Sequence, residues 1–244
     1  MDRLIYTAMS GARYTLERQA TLAQNLANAS TNGYRADTVA FRAVPLNAQA
    51  PGTRVFAVET TTGSDFTPGP MQSTGRNLDV AVQGSGWITV QASDGNEAYT
   101  RAGALQVGPD GTLQLPSGLA VQGTGGPLVA PDGAELEIAS DGTISAKSPG
   151  TKNLTAVGQL KLVNPDTADL VKGGDGLFRT RSGDPADADP TVRVSGGSLE
   201  ASNVNPIDAM VGMISAARQF EMQTKMLTNA EQNDQKAATL LSGA

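Results

Sequence analysis

Apolar residues at opposite ends of the chain recur with the same helical period, and this pairing limits the possible folds more than any other feature. Near the C-terminus, Met210, Met213, Ala217, Phe220, Thr224 and Leu227 follow one another at alternating steps of three and four, with Ala238 and Leu241 continuing the row. Such spacing marks a long helix with one narrow apolar stripe, and that stripe needs a partner helix. Asn205 is placed to cap it, Pro206 to fill its first position, and Asp208 to meet the positive end of its dipole. At the other end Ile5, Met9, Ala12, Leu16, Ala23 and Leu26 share a seam that Gln19 interrupts and Leu4, Ala8 and Leu22 widen. Ala, Leu, Gln and Arg dominate this segment and favour helix. Ser30-Thr31-Asn32-Gly33 then supplies turn chemistry that stops it.

Between the helices the texture changes. Residues 34–77 read as an extended connector with Thr60-Thr61-Thr62-Gly63, Thr67-Pro68-Gly69-Pro70 and a strand-like run Arg54–Glu59. From Leu78 the chain alternates as strands do: Leu78–Val82, Gly86–Val90, Ala98–Arg101 and Ala104–Val107, then Val157–Val163 as one strand, with shorter ones at Leu177–Arg179 and Val192–Val194. Asp94-Gly95, Asp110-Gly111, Asp132-Gly133, Asp141-Gly142 and Asp175-Gly176 punctuate these runs. Asp-Gly between alternating runs predicts hairpin turns whose two central positions both tolerate positive φ. The loop Ser182–Pro190, rich in Asp and Pro, is expected to be exposed and mobile. The fold class is therefore α+β: paired terminal helices flank a mostly antiparallel β domain. Its expected divisions are residues 1–33, a connector over 34–77, a β-rich domain over 78–198 and a C-terminal helix within 199–244.

Composition narrows the chemistry. A chain of 244 residues can bury a real core. A net charge of −6 argues against a nucleic-acid partner. With no Cys, thiolate catalysis is excluded; with no His, so are imidazole-based triads and most zinc sites. Paired carboxylates of a glycoside hydrolase would need a defined separation, whereas five of the Asp residues sit directly before Gly, where turn geometry accounts for them. Asp184, Asp187 and Asp189 lack the spacing of a calcium loop. Gly123-Thr124-Gly125-Gly126 has no following Lys for phosphate, no Ser-x-x-Lys nucleophile is present, and a lone Trp87 in an apolar strand reads as core. No catalytic, cofactor or metal residue is assigned. The first eighteen residues carry Asp2, Arg3, Arg13, Glu17 and Arg18 with no continuous apolar core, so they do not read as a cleavable signal peptide. No stretch has the roughly 20 apolar residues a membrane-spanning helix requires.

The helix ends carry a sharper signal. Asn25-Leu26-Ala27-Asn28-Ala29-Ser30-Thr31-Asn32-Gly33-Tyr34-Arg35 closes the first helix. Ser202-Asn203-Val204-Asn205-Pro206 opens the last, followed by Met213-Ile214-Ser215-Ala216-Ala217-Arg218-Gln219-Phe220-Glu221-Met222. Together they resemble the terminal signatures of the bacterial flagellar rod, hook and hook-associated axial proteins. Met1–Met9, Thr67–Met71, Leu78–Val82, Gly86-Trp87 and Tyr99-Thr100-Arg101 extend the resemblance along the chain, closest to the proximal rod branch of the basal-body rod family, with the distal rod branch as the alternative.

The resemblance implies a structural, non-enzymatic subunit of the basal-body rod, the axial drive shaft of motility. The helices would pair as a coiled-coil inner layer and the β domain would face outward. The expected partners are copies of the chain and other rod subunits in a helical assembly, together with the flagellar type III export apparatus, and passage through that apparatus needs no cleaved signal peptide. Neither nucleic acid, membrane insertion nor a cofactor is implied. The helix-end residues Asn25, Leu26, Asn28, Asn32, Gly33, Asn203, Val204 and Asn205 would set where the chain turns into the outer domain. Ile5, Met9, Leu16, Leu26, Met210, Met213, Ala217, Phe220 and Leu227 would form the inter-helix seam, with the ends ordering on assembly. The competing readings are a peptidoglycan-remodelling enzyme, which needs two carboxylates converging in one cleft, and a monomeric adhesin-like β module, which leaves the paired heptads unexplained.

Overall fold

The structure, a computed structural model, describes residues 2–45, 55–147 and 154–242. Met1 of the N-terminal signature, residues 46–54 of the expected connector (including Arg54 of the expected strand), residues 148–153, Gly243 and Ala244 lie outside the described residues. The fold is α+β with antiparallel pairing in every ladder among the described residues. The chain divides into two compact units, one of residues 1–29, 37–65 and 204–244, the other of residues 30–36 and 66–203.

The first unit holds helix α1 (Asp2–Ala27), strands β1 (Asp37–Pro45) and β2 (Val55–Ser64), and helix α2 (Pro206–Ser242). The α2 start follows from Asn205, whose Oδ1 accepts from the Ile207 amide at 3.0 Å. Gly11, early in α1, lies against the Gln223 side chain, and Gly212, early in α2, against Leu22 near the end of α1, so the helices run antiparallel. β1 and β2 form a hairpin from Asp37 opposite Ser64 to Pro45 opposite Val55, with an irregularity between Ala40 and Phe41. This hairpin occupies part of the 34–77 segment.

Among its described residues the second unit is β apart from one 3-10 turn, Thr167–Asp169. Its strands are β3 (Met71–Ser73), β4 (Val80–Gln83), β5 (Trp87–Gln91), β6 (Glu97–Thr100), β7 (Gln106–Val107), β8 (Leu113–Gln114), β9 (Gln122–Gly123) and β10 (Gly126–Pro127). They continue as β11 (Glu135–Ile138), β12 (Thr143–Lys147), β13 (Leu154–Gln159), β14 (Leu162–Val163), β15 (Leu170–Lys172), β16 (Phe178–Thr180), β17 (Arg193–Gly196) and β18 (Ser198–Glu200). The largest sheet has the order β14-β5-β6-β16-β15, and β5 is buried on both faces. Ile88 and Val90 point into the main core with Val80, Leu105, Leu113, Val121 and Ile144. Trp87 joins a second cluster of Tyr99, Val163, Leu170 and Phe178, so the alternation of one strand serves two cores.

Three sequence expectations change in detail. The segment Val157–Val163 is not one strand: β13 pairs with β12 in a three-stranded sheet, while β14 pairs with β5. The chain steps between sheets at Leu160 and Lys161, whose amides bond Gly142 and Gln122 instead. Val157 and Gly158 are half-buried and Gln159 is exposed, whereas Leu160, Leu162 and Val163 are buried, so the step between sheets coincides with a change in burial.

The Asp-Gly turns also differ, because no non-glycine residue among the described ones has positive φ. The Ala92–Asn96, Gly108–Thr112, Ala139–Thr143 and Gly173–Leu177 turns share one pattern: the fourth residue, a Gly, donates to the carbonyl of the first, and the first donates to that of the fifth. This is a turn with Asp in its third place and glycine alone in the left-handed region. Asp stays at negative φ because its carboxylate accepts from the amide two residues on, as Asp110 does from Thr112 and Asp141 from Thr143. The loop Ser182–Pro190 is exposed as expected but pinned: the Ala186 amide donates to Tyr99 Oη at 2.7 Å and the Asp189 amide to the Leu162 carbonyl at 2.8 Å.

Candidate assembly surface and helix-end site

The helices meet through small side chains. Ala8 and Thr15 of α1 and Ala209, Ala216 and Ala230 of α2 are buried, Ala216 completely. A Cβ on Gly212 would stand 3.0 Å from Leu22 Cδ1, so the Leu22 side chain packs directly on the α2 backbone there. Of the expected seam, Ile5, Leu26, Met213, Ala217, Phe220 and Leu227 are partly buried. Met9, Leu16 and Met210 stand 54%, 50% and 51% exposed. The sequence period finds the apolar side of each helix; its small members are the fully buried ones, Leu22 packs on Gly212, and Met9, Leu16 and Met210 are left at the margin. Ile207, Val211 and Ile214, at 70%, 57% and 56% exposed, extend an uncovered stripe with Met210 along the first two turns of α2, and Met222 and Met226 resume it.

The helix-end residues hold backbone. In the first unit the Asn25 side chain makes two bonds to Asp37, Nδ2 to its carbonyl at 2.9 Å and Oδ1 from its amide at 2.8 Å, taking the place of a neighbouring strand where β1 begins. Asn28 Nδ2 donates to the Gln24 carbonyl at 2.9 Å. In the second unit Asn203 Oδ1 accepts from the Ala36 amide at 2.7 Å, and its Nδ2 donates to the Thr67 carbonyl at 3.0 Å. Gly33 takes φ +70, and its amide donates to the Glu200 carbonyl at 2.8 Å. Asn32 and Val204 are half-buried.

Beside Asn203, in the second unit, sits a group that sequence reading did not assign. Arg35 and Glu200 are each 1% exposed and Arg101 4%. Arg35 Nη1 lies 2.6 Å from Glu200 Oε1, and Arg101 Nη1 lies 2.9 Å from Glu200 Oε2, so one carboxylate holds two guanidinium groups. Its Oε1 also accepts from the Gly69 amide at 2.9 Å. Arg101 reaches on to the carbonyls of Val82 and Gly84, and Arg35 to that of Thr67. Both cations lie over the Trp87 ring, at 5.3 Å for Arg101 and 6.0 Å for Arg35. Their Nε atoms have no hydrogen-bond partner, and the nearby ring supplies a cation–π attraction to each guanidinium. Burial pulls the Arg101 guanidinium below its ordinary pKa, and Arg35 adds to this while Glu200 opposes it. No local pattern in the sequence sets these three charges apart from solvated ones, since residues 35, 101 and 200 meet only through the fold.

Two of the turn carboxylates, Asp141 and Asp189, line a depression of about 180 Å³ with Thr124, Gln159, Leu160 and Val192. Both are engaged by the Thr two residues on, and those bonds hold each carboxyl below its usual range. Neither is kept protonated, as a general acid must be.

Comparison with known proteins agrees with this geometry. Three family models match: "Flagella basal body rod protein" over residues 5–35, "Flagellar hook protein FlgE/F/G D1 domain" over 81–146, and "Flagellar basal body rod FlgEFG protein C-terminal" over 195–240. The chain is 48% identical over 250 residues to the flagellar basal-body rod protein FlgF of Salmonella typhimurium, covering 99% of each chain. It belongs to the flagellar basal-body rod family. FlgF of Escherichia coli K12 is likewise 48% identical over 99% of both chains, whereas FlgG of Agrobacterium fabrum is 30% identical over 93% of each. These relatives are named as flagellar basal-body rod proteins, and none of the names is that of an enzyme. The three matched segments each contribute one member of the buried triad: Arg35, Arg101 and Glu200.

Proposed function

We propose that this rod-family chain is a structural subunit of the proximal rod of the flagellar basal body, building a helical assembly from its terminal helices. In this reading α1 and α2 make a coiled-coil inner layer and the β-rich unit faces outward. The stripe of Ile207, Met210, Val211 and Ile214 carries the proposal, because four large apolar side chains remain half or more exposed after α1 and α2 have paired. Covering each one is worth about 1.5–3 kcal/mol at full burial. Repeated along a polymer, that contact is strong although each subunit contributes little. Subunits meet head to tail, since a contact between two different faces generates helical symmetry. The neighbours are further copies of the chain and other rod subunits, and delivery is through the flagellar type III export apparatus without a cleaved signal peptide.

Ile214→Asp tests this reading. The side chain is 56% exposed, so the isolated chain should keep its helical circular dichroism and its Trp87 emission. Sedimentation should show loss of self-association, and cells relying on the variant should lose motility. An Ile214→Asp chain that assembles and supports swimming normally would remove the stripe from the interface.

A further inference from the structure

A chain without cysteine closes a very long loop at the point where its β-rich unit begins and ends. The incoming segment, residues 33–36, and the outgoing segment, residues 199–203, are joined by backbone bonds from Gly33 to Glu200 and from Asn203 to Tyr34. Side chains add the Ala36–Asn203 bond, spanning 167 positions, and the Arg35–Glu200 ion pair. Two more parts of the same unit converge on that pair. The Gly69 amide bonds the carboxylate, and Arg101 connects it to the β4–β5 turn through Val82 and Gly84. A Cβ on Gly69 would lie 2.0 Å from the Ala201 carbonyl oxygen and one on Gly33 2.2 Å from the Arg101 carbonyl carbon, so the four segments are in contact at backbone distance. Lys172 Nζ closes the rim, donating to the Arg35 carbonyl at 2.8 Å and lying 3.8 Å from the Tyr34 ring.

We propose that Arg35, Glu200 and Arg101, closed over Trp87, are a non-covalent staple that fastens the incoming segment of the β-rich unit to its outgoing segment, so that both open only when the whole unit unfolds. A buried ion pair is a weak source of net stability, since desolvation offsets its attraction. Its strength is in specification: a wrong register of residues 33–36 or 199–203 leaves two guanidinium groups buried against one another without a counter-charge. Closing so long a loop is costly in chain entropy, and ends so joined would otherwise fray first. The staple lets the β-rich unit keep its ends whatever order the terminal helices adopt. It stands apart from the assembly proposal, since it is read inside the single chain.

Native-state hydrogen exchange on the unmodified full chain tests it first. The amides of Gly33, Ala36 and Gly69 should be protected to within about tenfold of those of Thr89 and Gln91 in β5. Exchange of these three by separate openings thousands of times more frequent than those of β5 would overturn the proposal. Glu200→Gln keeps the shape and removes the counter-charge; the unfolding constant followed by Trp87 fluorescence should rise about a hundredfold or more. Arg35→Met added to Glu200→Gln removes one stranded cation and should recover part of that loss. A double variant less stable than Glu200→Gln alone would show plain packing and overturn the electrostatic staple. The exchange result on the unmodified chain decides independently should the single variant fail to fold. Failure of Ile214→Asp to impair assembly would leave all these readouts unchanged.

Discussion

Gly33 and Gly75 provide a controlled pair, because both sit at φ +70 in the same unit and differ only in what surrounds them. A Cβ on Gly75 meets nothing within 4 Å. Gly75→Ala therefore carries the left-handed conformation alone, about 1–2 kcal/mol. A Cβ on Gly33 would lie 2.2 Å from the Arg101 carbonyl carbon, 2.3 Å from the Ala102 nitrogen and 2.5 Å from the Arg101 oxygen. No side-chain rotation relieves contact with backbone, so Gly33 must withdraw by more than an ångström. Withdrawal breaks the 2.8 Å bond from its amide to Glu200, about 1 kcal/mol, and leaves a buried carbonyl short of a donor for about 1–3 more. The expected cost of Gly33→Ala is thus about 3–6 kcal/mol, at least 2 above Gly75→Ala by the same approximate sum. Urea unfolding of the full chain, followed by the fluorescence of Trp87, the only tryptophan, measures both. Equal midpoints for the two variants would refute the close approach of residue 33 to residues 101 and 102.

Ala216 is fully buried in the helix pair, and Ala216→Leu should push α1 and α2 apart at a cost of about 1–3 kcal/mol, read as a lower midpoint of the 222 nm signal with Trp87 emission unmoved. Carboxyls at Asp110, Asp141 and Asp189 are held below their ordinary value by bonds from Thr112, Thr143 and Thr191. Because the folded value is the lower one, their stabilisation is complete above the unfolded carboxylate range near ~3.9 and is lost as pH falls through the folded values. Replacing all three by Asn keeps an acceptor and removes the titration, so urea midpoints measured between pH 6 and pH 3 should fall less steeply than those of the unmodified chain. An unchanged slope would deny these turns a share in the acid response.

The amphipathic ends, the Asn205 cap, strands β4, β5, β6 and β16 (each start within about two residues) and the positions of the turns were legible in the residues, since each depends on chemistry within a few neighbours: a side-chain oxygen near a free amide, an alternation of two, a Gly where φ is positive. Burial was legible only as a quantity. Met9, Leu16 and Met210 belong to the apolar side of their helices, yet the closest contact runs through Ala8, Gly11, Gly212 and Ala216, because interhelical distance is a property of two surfaces meeting. Val157–Val163 reads as one strand by its alternation of Val, Leu and polar residues, and only the arrival of β12 on one part and β5 on the other divides it. The triad is the extreme case. Arg35, Arg101 and Glu200 are ordinary surface residue types in the sequence, and nothing local distinguishes them from solvated charges. Their meaning comes from segments far apart in the chain arriving at one place, where each charge is kept from water and can be satisfied only by the others. Periodicity and turn chemistry act over a few residues and so are written in the sequence; the pairing of buried charges acts through space and is decided by the tertiary fold.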